Sequence, residues 1–362
     1  MQSFAHRSET IQNRLARWCC PDCASRLIFD TCLHCESCAR QFSDEQTGMI
    51  DLTPSQASEN KNKIATFWGD IYKQWYASDD ATMTMDRLRQ ELGLLKDLFR
   101  KREHLAVIEM QLDQLTGKHV LEIGSGAGGH SALFAAHGAQ MTSIDITPER
   151  VMSTNLKFDL LRHSVHGDGI ALRADAETLP FDDHSFDIVY SNGVLHHTEN
   201  TNRGIDEVFR VLKPGGQAVL MLYARSSAFF WLMLLPKGIV RGEAFRLPEA
   251  EWLGRATEGA PRFRGERNPY TRVYNRAQLM QLLHKFSHIQ LRKSAFTISQ
   301  LPIPGIQRER ERILAALGHR PHEGGRLIYG SPFTPETSLE LALGRHIGFA
   351  WNIRAQKPTE RA

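Results

Sequence analysis

The stretch VLEIGSGAGGHSALFAAHG, from Val120 to Gly138, joins a short apolar run to a helical stretch through closely spaced glycines. Gly124, Gly126 and Gly129 have the GxGxxG spacing of the turn that links a strand to a helix in nucleotide-binding sheets. Glycine lets the backbone approach a ligand closely, and ligands bind beyond the carboxyl ends of the strands in such sheets. The spacing alone would fit an NAD enzyme equally well, so the surrounding sequence has to identify the cofactor.

Short apolar runs alternate with helical stretches downstream of this turn. Strands separated by helices are typical of a doubly wound parallel sheet, so we predict an α/β fold. Helices are expected near residues 130–137, after Pro148 and around 204–212. The predicted strands are HVLEI, QMTSID, GIALRAD, FDIVYSN and QAVLMLY.

Further motifs follow the glycine turn in a fixed order. Glu122 lies two residues before the first glycine, and Asp145 lies 21 residues after it, at the end of the second predicted strand. The segment RADAETLPFDDHSFDIVYSNGVLHHTEN and the segment FRVLKPGGQAVLMLY come next. With these motifs, the chain from about Gly117 to Tyr223 strongly resembles class I S-adenosylmethionine-dependent methyltransferases, especially those that act on small molecules. NAD enzymes are not expected to show this combination.

The resemblance implies a seven-stranded Rossmann-like sheet, a bound S-adenosylmethionine and a set of cofactor contacts. Asp145 would accept the ribose hydroxyls, Ile146 would lie against the adenine, and Asp175 would accept from its exocyclic amine. Strand-end or turn capping is the structural alternative for both carboxylates. The expected cofactor-binding residues are Glu122, Gly124, Ser125, Gly126, Gly128, Asp145, Ile146, Asp175, Ala176, Ser191 and Asn192.

Two histidines, His196 and His197, follow the fourth strand, which in this fold is close to the reacting methyl group. Histidine titrates in the range useful for proton transfer, so either could deprotonate an acceptor hydroxyl or amine. The alternative is that both only pack the pocket, because position in a fold is not evidence of a base.

All six cysteines lie between Cys19 and Cys38. The spacing gives a C-x2-C pair at Cys20 and Cys23 and another at Cys35 and Cys38, which suits one zinc ion held by four thiolates. Cys32, Cys19 and His34 remain alternative ligands on spacing alone.

The run CPDC, then LHCESCARQF, then GMIDL resembles the small zinc-ribbon domains that precede some methyltransferases. That resemblance favours the ligand set Cys20, Cys23, Cys35 and Cys38. Four thiolates leave no open position for water, so the predicted Zn2+ is structural.

Four segments are predicted along the chain: a zinc-ribbon-like domain at 1–52, a linker and helical lid at 53–117, a cofactor-binding core at 118–224, and a substrate-covering insertion with the last strands at 225–362. The lid is predicted from three-four apolar spacing between Met85 and Leu115. In related enzymes two antiparallel strands end the sheet, here HIQLRKSAF and FAWNIRAQKP. The insert SSAFFWLMLLPKGIVRG, beside arginines, would suit an amphiphilic or anionic acceptor, or would simply pack.

Composition narrows the function classes. Lys+Arg 44 against Asp+Glu 41 gives a net charge of +3, which does not indicate a dedicated nucleic-acid binder. We therefore expect an enzyme that methylates a small molecule, first at oxygen, with carbon and nitrogen as alternatives. A zinc-containing rRNA methyltransferase is the second hypothesis, although N/D-P-P-Y is absent at 191–194, and a non-catalytic zinc-ribbon scaffold is the third. No apolar run is long enough for a membrane span, so a cytoplasmic protein is expected. The oligomeric state is not predicted.

Overall fold

The computed structural model describes residues 8–30, 32–42, 49–162, 167–257 and 267–359. It is an α/β structure built on one large mixed sheet, with a small hairpin near the amino terminus. The strands of the described residues are β1 Leu27–Phe29, β2 Leu33–Cys35, β3 His119–Ile123, β4 Gln140–Asp145, β5 Asp168–Arg173, β6 Phe186–Asn192, β7 Leu212–Ala224, β8 Val273–Tyr274, β9 Ser287–Ser294 and β10 Ala350–Gln356.

Helices precede, separate and follow these strands. Short 3-10 turns include Leu112–Gln114 and Leu195–His197, and a π-helical turn spans Phe230–Leu234. The α-helices of the described residues are α1 Ser8–Leu15, α2 Glu59–Trp75, α3 Ala77–Asp80, α4 Met85–Lys101, α5 Leu105–Ile108, α6 Gly129–Ala136, α7 Pro148–Leu161, α8 Thr201–Val211, α9 Leu235–Val240, α10 Glu243–Arg246, α11 Glu249–Thr257, α12 Arg276–Leu282, α13 Ile306–Ala316, α14 Arg326–Tyr329 and α15 Ser338–Ile347.

The large sheet has the order β5-β4-β3-β6-β7-β10-β9, and the short β8 pairs with the end of β7. Strands β3 to β7 are parallel, whereas β10 runs antiparallel to both β7 and β9. The order reverses at β3 and β6, because β4 and β5 extend to one side of β3 while β6 and β7 extend to the other. Ligands bind beside such a reversal in open parallel sheets. The predicted α/β class and the two final antiparallel strands are confirmed.

The central strands are buried along most of their length because both faces of the sheet are covered. Leu121 and Ile123 pack into the core on one face, whereas Val120 packs into the core on the other. In β6, Val189 and Tyr190 divide in the same way. This two-sided burial explains why these strands could be predicted from the sequence.

The amino-terminal hairpin packs on the first of these faces. Trp18, Leu27 and Leu33 belong to the same apolar core as Leu121. Backbone pairing adds to the contact, since the amide of Leu52 donates to the carbonyl of Arg173 at 2.7 Å. The hairpin is therefore joined to the sheet by a continuous core and by hydrogen bonds.

The segment between the hairpin and the sheet is more helical than its polar sequence indicated. Helix α2 begins at Glu59 with Ser58 as its N-cap, inside the stretch that was expected to be a linker. The helix predicted from apolar spacing up to Leu115 is wrong in detail, because after α4 the chain forms only the short α5 and a 3-10 turn. Glu103 and Gln111 have positive φ angles of 48° and 54° there, which a continuous helix does not allow.

Asn275 and Gln278 form a full capping box at the start of α12. Within the described residues, no helix combines the length and the hydropathy that crossing a bilayer requires.

Candidate functional site

A cavity that is partly open to solvent lies at the carboxyl ends of β3, β4 and β6. Its floor is the glycine turn after β3, and its roof comes from α2 and α14. The lining residues include Gly124, Asp145, Asp175, Asn192 and His197.

The glycine turn has a backbone that other residues would not adopt. Gly124, Gly126 and Gly128 have φ angles of 77°, 55° and 79°, in the left-handed region that favours glycine. A Cβ on Gly124 would lie 2.2 Å from a methyl carbon of Val194, and one on Gly128 would lie 2.8 Å from the Cα of Thr154. The turn can therefore pack tightly while its backbone faces the cavity.

Asp145, at the end of β4, is 7% exposed and lines the cavity. One carboxylate oxygen accepts from the amide of Gly126 at 3.1 Å, and the other accepts from the amide of Thr147 at 3.0 Å. Burial raises the pKa of Asp145, and these amides and Arg150 oppose that shift. Asp145 thus holds the glycine turn in place and still offers acceptor capacity at the cavity wall.

Asp175, which follows the neighbouring strand β5, also lines the cavity and already has a cationic partner. The ammonium of Lys61, in the first turn of α2, donates to Asp175 and lies 3.6 Å from Glu177. The nearby Asp175 carboxylate raises the pKa of Lys61, against the effect of burial. A ligand amine that binds Asp175 therefore has to displace the Lys61 ammonium or donate to Asp175 alongside it.

Glu122 and His130 form a buried pair at the wall of the cavity, with Glu122 behind it. Burial raises the pKa of Glu122 to about 8 and lowers the pKa of His130 to about 3. Both groups are therefore neutral near pH 7, with 3.8 Å between a Glu122 oxygen and His130 Nδ1. His130 lines the cavity, and its Nε2 has no hydrogen-bond partner among the described residues.

The raised pKa of Glu122 predicts a loss of stability with rising pH. The unfolded chain releases this proton above about 4.5, whereas the folded chain keeps it until about 8. The folded state binds more protons in that window, so the free energy of unfolding should fall as pH rises through it. Each unit between the two pKa values corresponds to about 1.4 kcal/mol.

Denaturant unfolding of wild type and Glu122→Gln across this pH window measures the effect. Glutamine mimics the neutral acid, so the difference in unfolding free energy should shift in favour of the variant as pH rises. Other groups titrate equally in both proteins and cancel in the difference. Parallel pH profiles would show that Glu122 is ionised in the folded state.

The two histidines after β6 differ in their surroundings. His197 lines the cavity, and its Nδ1 lies 3.1 Å from the Tyr270 carbonyl and 2.8 Å from the Asn268 side chain. With Nδ1 engaged, Nε2 is the nitrogen available to the cavity. Burial lowers the pKa of His197 to about 4, so the ring is neutral and able to accept a proton.

His196 is fully buried beside the rings of His197 and Tyr223, at centroid distances of 4.1 Å and 3.9 Å. It is not among the residues that line the cavity. Of the two predicted bases, only His197 is in a position to meet a substrate in this structure.

Most of the predicted cofactor residues meet at one cavity. Glu122, Gly128 and Ser191 do not line it; they support its wall from behind, as Ser191 does by donating to the Ile123 carbonyl at 3.1 Å. The predicted residues that do line it are Gly124, Ser125, Gly126, Asp145, Ile146, Asp175, Ala176 and Asn192.

Sequence reasoning missed the roof of the cavity. The missed residues lie on α2 and α14, far from the glycine motif in sequence. The Arg150 guanidinium stacks over the Trp68 ring at 4.9 Å, and that ring lies 5.7 Å from the ring of His197. The three-four apolar spacing of α2 was the available signal. The missed residues are Lys61, Ile64, Trp68, Tyr76, Leu327 and Ile328.

The four predicted cysteine ligands form a second cluster, in the hairpin. The sulfurs of Cys20, Cys23, Cys35 and Cys38 all lie within 4.8 Å of one another, with Cys20 to Cys38 at 3.7 Å and Cys23 to Cys35 at 3.4 Å. Tetrahedral zinc with Zn–S bonds of about 2.3 Å requires sulfur separations of about 3.8 Å. The cluster therefore fits one zinc ion.

The remaining candidate ligands lie outside this cluster. Cys32 and His34 form a separate, more exposed group with Asp30, in which one ligand atom of each lies within 4.8 Å of the others. Cys19 belongs to neither group, and burial raises the pKa of its thiol to about 11.

Comparison with known proteins agrees with the site. Residues 121–220 match the family described as methyltransferase domain. A demethylmenaquinone methyltransferase of Clavibacter sepedonicus is 32% identical over 145 residues, covering 39% of this chain and 54% of that protein. A sterol 4-C-methyltransferase of Caenorhabditis elegans is 33% identical over 120 residues, covering 33% and 35%. A ubiquinone biosynthesis O-methyltransferase of Coxiella burnetii is 28% identical over 200 residues, covering 52% and 76%.

The chain spans about half the length of the demethylmenaquinone methyltransferase and about a third of the length of the sterol 4-C-methyltransferase. The matched residues run from β3 into β7 and contain the glycine turn, Asp145, Asp175 and His197. The family predicted from the motifs is therefore confirmed for this part of the chain. Residues 121–220 form a class I S-adenosylmethionine-dependent methyltransferase domain.

Proposed function

We propose that the protein transfers the methyl group of S-adenosylmethionine to a small-molecule acceptor, with oxygen as the first candidate atom and carbon and nitrogen as alternatives. The main support is one observation: the glycine turn, Asp145 and Asp175, all within the matched domain, surround a single cavity. The three relatives described above are named for methylating quinone precursors and a sterol, which are small molecules.

The proposed cofactor contacts follow the chemistry of the cavity wall. Asp145 would accept the ribose hydroxyls, because its carboxylate is fixed by two backbone amides and has acceptor capacity left over. Ile146 and Ala176 would lie against the adenine. The adenine amine would replace the Lys61 ammonium on Asp175, while Glu177 remains near Lys61.

Bound S-adenosylmethionine supplies an already activated methyl group, so the chain mainly has to position the acceptor and exclude water. Trp68, Tyr76 and Ile328 roof the cavity with apolar surface for this purpose. His197 would accept a proton from an acceptor hydroxyl through Nε2, while the Tyr270 carbonyl holds Nδ1. Its low pKa makes it a weak base, which suits an acceptor that is itself acidic, such as a phenol.

The hairpin cysteines would hold a structural Zn2+, since four thiolates complete its coordination. In this proposal residues 1–52 carry the metal, 53–117 cover the cofactor, 118–224 bind it, and 225–362 complete the acceptor side. The hairpin joins the core of the sheet, so the metal would stabilise the fold on which the cavity is built.

Incubation of the purified chain with methyl-labelled S-adenosylmethionine tests the proposal directly. The acceptors are total RNA in one reaction and a small-molecule extract in the other, with a catalytically impaired His197→Asn variant as the matched control. We expect label in the small-molecule fraction that falls at least about tenfold in the variant. Label in RNA would favour the rRNA methyltransferase hypothesis, and cofactor binding without any transfer would favour the scaffold hypothesis.

A further inference from the structure

The helical insertion after β7 exposes an unusual amount of apolar surface. The chain is helical through the π-helical turn Phe230–Leu234 and α9, and α10 follows after a short turn. Val240 and Phe245 are 87% and 77% exposed, the highest values among the exposed large hydrophobic side chains of the described residues. We define the exposed apolar face as Trp231, Leu232, Pro236, Ile239, Val240 and Phe245.

The continuous helical stretch from Phe230 to Val240 is apolar both on the side that packs inward and on the side that faces out. Phe230, Leu234 and Gly238 are spaced by four residues and pack inward, where Gly238 abuts the ring of Trp252. Leu232 and Pro236 repeat with the same spacing two residues later, which places them on the opposite side. A helix that is apolar all round is normally covered, and here nothing in the described residues covers the outer side.

The charges near this face are arranged around it and not within it. Lys237, the one charged residue of α9, turns inward and donates to the Ala256 carbonyl at 2.6 Å. Arg241 and Arg246 are exposed just beyond the helix, and Glu243 there lies 3.9 Å from Arg267. Glu249, the exposed acid that follows Arg246, pairs with Arg225. With both acids paired, Arg241 and Arg246 make the rim basic while the face is uncharged, a pattern typical of helices that lie in a membrane interface.

The insertion that carries the exposed apolar face is flanked on both sides by residues that contact His197. The insertion begins directly after β7, and Tyr223 near the end of β7 contacts His196 and His197. Thr271, which follows the insertion, lies 3.0 Å from His197 Nδ1 and 2.9 Å from Thr257 at the end of α11. The insertion that carries the exposed face is therefore connected at both ends to residues that support the candidate base.

We propose that the exposed apolar face docks on an anionic lipid bilayer, with Arg241 and Arg246 at the lipid headgroups. This inference rests on the proposed function and deepens it, since a docked enzyme would take a lipid-soluble acceptor directly from the bilayer. The apolar side chains would enter the boundary between headgroups and acyl chains, and the basic rim would pair with lipid phosphates.

A second copy of the chain is a less suitable occupant. A two-fold interface brings the same surface of each copy together, so the basic rim of one copy would approach the basic rim of the other. Like charges brought together at an interface oppose association. An anionic bilayer covers the apolar face and also neutralises the rim.

Cosedimentation of the full chain with lipid vesicles tests this proposal. One vesicle set contains phosphatidylcholine alone, and the other also contains phosphatidylglycerol. We expect the chain to pellet with the anionic vesicles and Val240→Asp to bind them at least about tenfold more weakly, because it places a charge in the apolar contact. Leu317→Asp is the matched control: this leucine, next to α13, is 69% exposed, and its substitution should leave binding unchanged.

Several results would overturn the proposal. Recovery of wild type in the supernatant with both vesicle sets would contradict it, and so would pelleting of Val240→Asp to the same extent as wild type. Sedimentation equilibrium without lipid would identify a second copy as the occupant if Val240→Asp converted a dimer into a monomer. Calorimetric binding of S-adenosylmethionine and methyl transfer to the small-molecule extract, both without vesicles, are read separately, so failure of docking and failure of the proposed function are distinguishable.

Discussion

Asp145→Ala is expected to weaken the binding of S-adenosylmethionine by at least about a hundredfold. A hydrogen bond to a charged group contributes about 1.5–3 kcal/mol, and the proposed contact with the ribose contains two of them. The variant also removes the acceptor for the amides of Gly126 and Thr147, which loosens the glycine turn. Titration calorimetry of wild type and variant with the cofactor measures the change in affinity.

A matched control separates ribose binding from a general loss of stability. Asp187 lies in β6 and, like Asp145, accepts a backbone amide, that of His119 at 2.9 Å, but it also pairs with Lys213 at 2.9 Å and does not line the cavity. Asp187→Ala should lower the free energy of unfolding and leave cofactor affinity nearly unchanged. If both variants lost stability and both kept their affinity, Asp145 would be a structural cap and the ribose assignment would be wrong.

The sheet was predictable because its strands are buried on both faces. The run HVLEI predicts β3 with its observed bounds. Val120 and Leu121 pack into the cores on opposite faces of the sheet, so the strand is apolar after His119, and Glu122 is the exception. Glu122 is tolerated there because its buried acid is neutral and bonded to Ser131. The glycine turn was predictable for a related reason, since its backbone and its close contacts exclude a Cβ.

The roof of the cavity was not predictable from the same motifs. Lys61 belongs to a polar stretch that looks like a linker, and only the folded position of α2 brings it to Asp175. His196 and His197 are adjacent in sequence, and the 3-10 turn that contains them decides which ring reaches the cavity. Such contacts depend on how distant elements pack, and local sequence patterns do not encode that packing.

The metal ligands, too, were predictable from sequence spacing only in part. Spacing alone left Cys19, Cys32 and His34 as alternatives to the four predicted cysteines. The hairpin favours the four predicted cysteines, because its register pairs Leu27 with Cys35 and leaves Cys32 in the connection before β2. The fold therefore gathers Cys20, Cys23, Cys35 and Cys38 and sets Cys32 apart.

Cys35→Ser is expected to abolish zinc binding and to destabilise the whole protein. Metal analysis of wild type should give about one equivalent of zinc, because four thiolates complete one tetrahedral site. The hairpin would lose the metal that organises it, and Trp18, Leu27 and Leu33 would lose their place in the core shared with Leu121. Binding of a structural zinc contributes directly to folding, so we expect the free energy of unfolding to fall by more than about 3 kcal/mol.

The same hairpin offers a matched control in Cys32→Ser, which changes a cysteine outside the cluster. This variant should keep its zinc and its unfolding free energy, whereas Cys35→Ser should lose both. Loss of zinc in Cys32→Ser would place Cys32 among the ligands and contradict the cluster of four. If Cys35→Ser lost its zinc without any loss of stability, the hairpin would be held by its apolar core alone, and the metal would need a role other than stabilising the fold.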